Sequence, residues 1–155
     1  MRDDDQIPLP DFDLDGFTPY RLAVAAKRTS EELARMYRAR FGITIPEWRV
    51  LVHLAHSGEV SVRDIEARVA LEKYEVSRTA KRLEESGLIA KRGNDRDRRL
   101  VSLSLTPKGR AMMAELLPLA KAHQVELERR LGETFAQLEA GLERLLSENG
   151  ASDGD

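Results

Sequence analysis

Two helix starts in quick succession, followed by a helix that a glycine ends, constrain the fold of this chain more than any other feature. Thr44 with Glu47, and Ser61 with Asp64, each place a hydroxyl side chain three residues before an acid, which is the capping-box pattern of a helix N-terminus. A further helix is predicted to end at Gly87, because glycine readily adopts the left-handed conformation that closes many helices. The segment therefore predicts short helices joined by tight turns, which is typical of a helix-turn-helix unit.

A strand–loop–strand pattern follows these helices. Residues 88–91 predict one strand, and the alternation of Val101, Leu103 and Leu105 with serines predicts a second, half-buried one. The polar residues 93–97 predict an exposed loop between them. A helix-turn-helix pair followed by a small β-hairpin is a winged helix-turn-helix arrangement.

Longer helices are predicted on both sides of this unit. Two threonine–proline pairs, each with the hydroxyl as the N-cap and the proline at the first helical position, are expected to begin them: Thr18-Pro19 and Thr106-Pro107. The first helix is expected to end at Gly42, and the later one to run to about residue 131, with a kink at Pro118. A last helix is expected over about residues 133–146. The predicted fold class is therefore mainly α with a small two- or three-stranded β-wing.

The helix that ends at Gly87 is predicted to have one buried and one exposed face. At about 100° per residue, Val76, Ala80 and Leu83 fall on the side that packs inward. The opposite side presents Tyr74, Arg78, Lys81 and Glu85, and it is flanked by Ser77 and Arg82. The hydroxyl and the cations of this surface are candidate DNA contacts: Ser77, Arg78, Lys81 and Arg82. Arginine and lysine reach phosphates or the acceptors of guanine, and a short serine can approach the backbone or a base closely.

The loop between the two strands adds a second cationic cluster. Its candidate DNA-binding residues are Arg96, Arg98 and Arg99, and an arginine at the tip can enter the minor groove. Residues 73–99 contain nine Lys and Arg against five Asp and Glu, although the formal net charge of the chain is -2. Charge alone favours a solvated face; the preceding helix pair favours a DNA-binding surface.

Composition and missing motifs narrow the class of protein. The 155 residues include no cysteine, which removes disulfides, thiolate nucleophiles and cysteine-ligated zinc. There is no Gly-rich phosphate loop, nucleophile elbow or HExxH motif, so we expect neither an enzyme nor a cofactor. No apolar run is long enough to cross a bilayer and the acidic N-terminus has no secretory signal, so we expect a cytoplasmic protein. His53 and His56 share a helical face, but no third ligand lies near them in sequence, and no metal site is expected.

Several ordered stretches together resemble the MarR family of bacterial transcription regulators. The stretches are Phe41-Gly42-Ile43-Thr44-Ile45-Pro46-Glu47-Trp48-Arg49-Val50-Leu51, Val76-Ser77-Arg78, Lys81-Arg82-Leu83-Glu84-Glu85-Ser86-Gly87-Leu88-Ile89, Asp97-Arg98-Arg99 and Leu103-Ser104-Leu105-Thr106-Pro107-Lys108-Gly109. Each piece is weak by itself, but their order and spacing are specific. The resemblance covers about residues 17–147.

The resemblance implies a homodimer that binds a pseudo-palindromic site in double-stranded DNA. It implies one domain over residues 17–147, with the winged helix-turn-helix at about 46–105 and dimerisation helices at about 18–41 and 107–147. Residues 1–16 are expected to form an acidic flexible tail and residues 148–155 a polar tail. The many apolar side chains after Thr106 suit a dimer physically, although packing against residues 18–41 within one chain is an alternative.

The resemblance also implies a repressor that a small, aromatic or acyl effector releases from DNA. Arg21, which can pair with a carboxylate, and Trp48, which can stack, are the candidate ligand contacts; a surface charge and a core tryptophan are the alternatives. The rival function is a winged-helix protein-interaction module without DNA binding, whose sign would be loss of the cations at Arg78, Lys81 and the wing. The sequence keeps these cations.

Overall fold

The structure is a computed structural model, which describes residues 7–69, 71, 73–93 and 101–149. Its helices and strands, in chain order, are α1 (Thr18–Phe41), α2 (Ile45–Ser57), β1 (Val60–Ser61), α3 (Val62–Arg68), α4 (Lys73–Glu85), β2 (Ile89–Arg92), β3 (Ser102–Leu105), α5 (Pro107–Leu131) and α6 (Thr134–Asn149). The mainly helical fold class with a small β-wing is confirmed.

Three of the predicted N-caps are present and explain where the helices begin. The side-chain oxygens of Thr44, Ser61 and Thr106 accept hydrogen bonds from the backbone N–H three residues later, at 3.3, 3.1 and 3.1 Å. Each bond satisfies one of the N–H groups that a helix start leaves without a partner. Gly42 ends α1 with φ 67°, as predicted.

The predicted N-cap at Thr18 is wrong. Phe17 occupies the cap position, and no side chain caps α1. The helix begins one residue earlier because the Phe17 carbonyl already accepts the N–H of Arg21 at 3.0 Å, while the Phe17 N–H donates to Leu14 in a preceding turn. Pro19 still lies in the first turn, where its missing N–H has no cost.

The three strands form an antiparallel sheet in the order β1-β3-β2. Val60 pairs with Leu103 on one side of β3, and Lys91 pairs with Leu103 on the other. The alternation predicted for β3 is present only at Leu103, which is fully buried, because Val101 and Leu105 are half-buried like the two serines. The two-residue β1 is too short for sequence periodicity to show it.

One hydrophobic core joins the helices to the sheet. It takes one apolar face from each of several elements, and its most buried members include Tyr37, Leu51, Leu54, Ile65, Leu83, Leu103, Met113 and Leu116. The first half of α1, the second half of α5 and α6 contribute no residue to this core. α5 remains one helix through Pro118 and is followed by Gly132 and α6.

Candidate nucleic-acid interface

α4 has the two faces that its sequence predicts. Val76, Ala80 and Leu83 are 0%, 2% and 0% exposed, so they anchor the helix to the core. The four candidate contacts on the opposite side are all exposed: Ser77, Arg78, Lys81 and Arg82. The structure thus brings one hydroxyl and three cations together on a single helical surface, which we call the α4 face.

Thr79 is a polar residue whose burial in the core was not predicted from the sequence. It is 1% exposed, between the inward-facing Val76 and Ala80. At about 100° per residue, Thr79 lies at the edge of the inward-facing side of α4, so this side is wider than Val76, Ala80 and Leu83 alone indicate.

The end of α4 is tied to the beginning of α5. Gly87 has φ 75°, and the N–H of Leu88 reaches back to the Leu83 carbonyl at 3.0 Å, which closes the helix. From α5, the Lys108 ammonium donates to the Ser86 carbonyl at 2.9 Å, and the Thr106 hydroxyl donates to the Gly87 carbonyl at 2.6 Å. These donors satisfy carbonyls at the negative end of the helix, so the α4 face is held at a fixed position relative to α5.

The wing, which consists of β2, β3 and the loop between them, follows α4 in the chain and adds exposed cations. Lys91 and Arg92 on β2 are exposed, and neither was singled out as a contact from the sequence. Ile89 is the one buried residue of the four in that strand. The predicted wing contacts Arg96, Arg98 and Arg99 lie outside the described residues, so their role stays a prediction.

Arg21, the first candidate ligand contact, lines a groove of about 820 Å³ between α1 and α5. Arg28 and Arg130 line the same groove, together with apolar side chains such as Leu127. Arg130 is bound bidentately by Glu32, with N–O distances of 3.1 and 2.7 Å. Hydrogen bonds from Arg130 hold the pKa of the Glu32 carboxyl below its ordinary value and raise the pKa of Arg130. The groove therefore combines apolar walls with charges of both signs, since Asp15 and Glu32 line it together with the three arginines.

Trp48, the second candidate ligand contact, is not among the residues that line this groove. It is half-buried in α2 and stacks on Tyr37, with the ring centroids 5.7 Å apart and the planes 21° apart. Burial raises the pKa of the Tyr37 hydroxyl. The structure thus gives Trp48 a packing role and does not place it with Arg21.

The histidines do not converge. His53 is half-buried and His56 exposed on α2, while His123 on α5 lies 3.1 Å from the Thr29 carbonyl of α1. Within residues 7–69, 71, 73–93 and 101–149, no three His, Cys, Asp or Glu side chains are grouped as a metal site would require.

A second groove, of about 440 Å³, lies between the start of α1 and α6. Its walls are mainly apolar and include Leu22, Leu138, Gly141, Leu142 and Leu145. Leu145 and Leu146 of α6 are 48% and 73% exposed. Large apolar surfaces of this kind mark interaction sites.

Comparison with known proteins places these features in one family. The MarR family model matches residues 41–100, a range that contains α2 to β2 and ends before β3. The chain is 37% identical over 81 residues to the HTH-type transcriptional repressor MdtR of Bacillus subtilis, and the match covers 52% of each chain. The chain thus spans about half the length of this curated relative.

Solved structures share the fold over nearly the whole chain. A MarR family transcriptional regulator from Silicibacter pomeroyi superposes with a TM-score of 0.72 and 30% identity, covering 90% of this chain and 93% of that one. BpsR of Bordetella bronchiseptica, whose DNA binding is regulated by 6-hydroxynicotinic acid, has the same fold, with a TM-score of 0.72, 22% identity and coverage of 92% and 99%. Among the described residues, no helix has the length and apolar character needed to span a membrane.

Proposed function

Because the chain belongs to the MarR family of transcriptional regulators, we propose that it is a sequence-specific DNA-binding regulator with α4 as its recognition helix. The observation that carries this proposal is the α4 face, where Arg78, Lys81 and Arg82 are exposed opposite a fully buried anchor. An exposed helix of this kind fits the width of the major groove. Repression, rather than activation, is proposed because the similar protein MdtR is a transcriptional repressor.

The cations of the α4 face and the wing divide the work of binding. Lysines and arginines that meet phosphates give affinity and salt dependence, whereas contacts to base edges give sequence preference. Lys91 and Arg92 of β2 are also exposed, and we propose that they add to the positive surface of the α4 face. We propose that Arg96, Arg98 and Arg99 continue it along the duplex.

We propose that the regulator acts as a homodimer through α1, α5 and α6. The support is the exposed apolar surface of these helices: the groove between α1 and α6, and the exposed Leu145 and Leu146. A second copy related by a two-fold axis would bury this surface and present two α4 faces. The operator would then be pseudo-palindromic, with half-sites about one helical turn of DNA apart.

The test of DNA binding begins with selection of duplexes from a randomised library by the purified protein. Binding of the selected duplex is then measured by fluorescence anisotropy at fixed salt for Lys81→Ala, Arg98→Ala and Arg129→Ala. The first two variants should weaken binding, by about 1–3 kcal/mol where the lost contact is to a base. Arg129→Ala removes the same charge from a side chain that is 71% exposed far along α5. It should leave affinity unchanged, provided that sedimentation shows the same dimer as the parent protein. Failure to enrich any sequence would refute the proposal and favour a winged-helix protein-interaction module.

We propose that an anionic aromatic or acyl effector lowers operator affinity. The support is the groove between α1 and α5, where Arg21 and Arg28 lie among apolar walls. A ligand can release DNA only if it binds the DNA-incompetent state more tightly. A thermal-shift screen of aromatic and acyl carboxylates, followed by anisotropy on the selected duplex, tests this. Hits should lose their effect in Arg21→Ala; hits that keep it would move the site elsewhere, toward Trp48.

We further propose a cytoplasmic, non-enzymatic protein.

A further inference from the structure

One aromatic ring on the α4 face lies against one of the candidate contacts. Tyr74 is 63% exposed, and the guanidinium carbon of Arg78 is 5.6 Å from the centroid of its ring. The two residues are four apart in the helix, so their side chains are neighbours on the same side. That side is opposite the buried Val76 and Leu83.

The kind of contact matters for what Arg78 can still do. A guanidinium that interacts with the face of a ring keeps the N–H groups in its own plane available, whereas a carboxylate partner would occupy them. Among the described residues, no ion pair or hydrogen bond engages the Arg78 side chain. Its five donors are therefore free for a bidentate contact to a phosphate or to guanine.

We propose that Tyr74 is a positioning residue that holds the Arg78 guanidinium in an orientation ready to meet DNA. This inference rests on the proposed DNA-binding function. A free arginine loses much side-chain entropy when it is fixed at an interface, and a ring that already restricts the guanidinium reduces that loss. Tyr74 acts through its ring and not through its hydroxyl, and the ring gives Arg78 selectivity as well as affinity.

The experiment is a double-mutant cycle on the selected duplex at fixed salt. Tyr74→Leu removes the ring but keeps an apolar, helix-forming side chain, and Tyr74→Phe keeps the ring and removes the hydroxyl. Tyr74→Leu should weaken binding about two- to fivefold, the range that a cation–π contact at an exposed site supplies. Tyr74→Phe should bind like the parent protein. In an Arg78→Ala background, Tyr74→Leu should have no further effect.

Base preference provides a readout that a merely structural role would not move. Selection from a duplex library should show that Tyr74→Leu relaxes preference at the same base pair as Arg78→Ala, with an unchanged melting temperature. Additive losses in the cycle, or a loss in Tyr74→Phe equal to that in Tyr74→Leu, would show that Tyr74 contacts DNA by itself and overturn the inference. So would an Arg78→Ala variant with parental affinity. If the parent protein selects no sequence, the proposed function fails first.

Discussion

Gly109→Ala probes the junction between the end of α4 and the start of α5. Gly109 is buried in the first turn of α5, and a Cβ at this position would lie 2.0 Å from the carbonyl oxygen of Leu88. The same oxygen accepts the N–H of Thr106 at 3.1 Å, so it has little freedom to move. Because real Cβ atoms essentially never come within 3.0 Å of a neighbour, the two backbones must separate by about 1 Å.

The size of the effect follows from this forced separation. Overpacking that shifts backbone costs about 1–3 kcal/mol, which in a domain of this size lowers the melting temperature by roughly 2–12 °C. Because the displaced atoms connect α4 to α5, affinity for the selected duplex should fall as well. Melting is followed by circular dichroism at fixed protein concentration, with Gly93→Ala as the control, since nothing lies within 4 Å of a Cβ there. A melting temperature equal to that of the control would refute the argument.

Three further perturbations test other parts of the structure. Gly141→Ala adds a methyl group in the groove between α1 and α6, where nothing in the same protomer lies within 4 Å of it. If a second copy fills this groove, the methyl group meets it, and sedimentation should show a weaker dimer. A tighter or an unchanged dimer would place the interface elsewhere. Glu32→Gln should lower the melting temperature at pH 7, and the difference should vanish as the pH falls through the lowered pKa of Glu32, because a depressed carboxyl pKa stabilises only above that range. Thr44→Ala should cost about 0.5–2 kcal/mol in chemical denaturation, whereas Thr44→Ser should keep most of the stability because it keeps the acceptor oxygen; equal losses in the two would contradict capping by this hydroxyl.

The features that sequence predicts well here are those with a local physical cause. The caps at Thr44 and Ser61 and the buried face of α4 each depend on residues within one or two helical turns, so spacing alone identifies them. The predicted N-cap of α1 is wrong because the turn that ends at Phe17 depends on backbone hydrogen bonds, which residue types alone do not predict.

Contacts between distant parts of the chain were beyond sequence reasoning. Glu32 and Arg130 are 98 residues apart, and nothing in either segment specifies the other. The close approach of Gly109 to Leu88 is similar, although the glycine two residues after Pro107 was part of the family resemblance. For the candidate interface, helical periodicity placed Ser77, Arg78, Lys81 and Arg82 on one face, but exposure of Lys91 and Arg92 depends on how the sheet packs.

Ser61 belongs at once to β1, where it pairs with Ser102, and to the N-cap of α3, where its hydroxyl binds the N–H of Asp64. No connecting residue therefore separates strand from helix, and the usual place for a hinge is missing. A further hydrogen bond lies on the strand side, where the Ser102 hydroxyl donates to the Glu59 carboxylate at 2.5 Å. The sheet and α3 are therefore joined without a flexible residue between them, and a tilt of one must be accompanied by a tilt of the other.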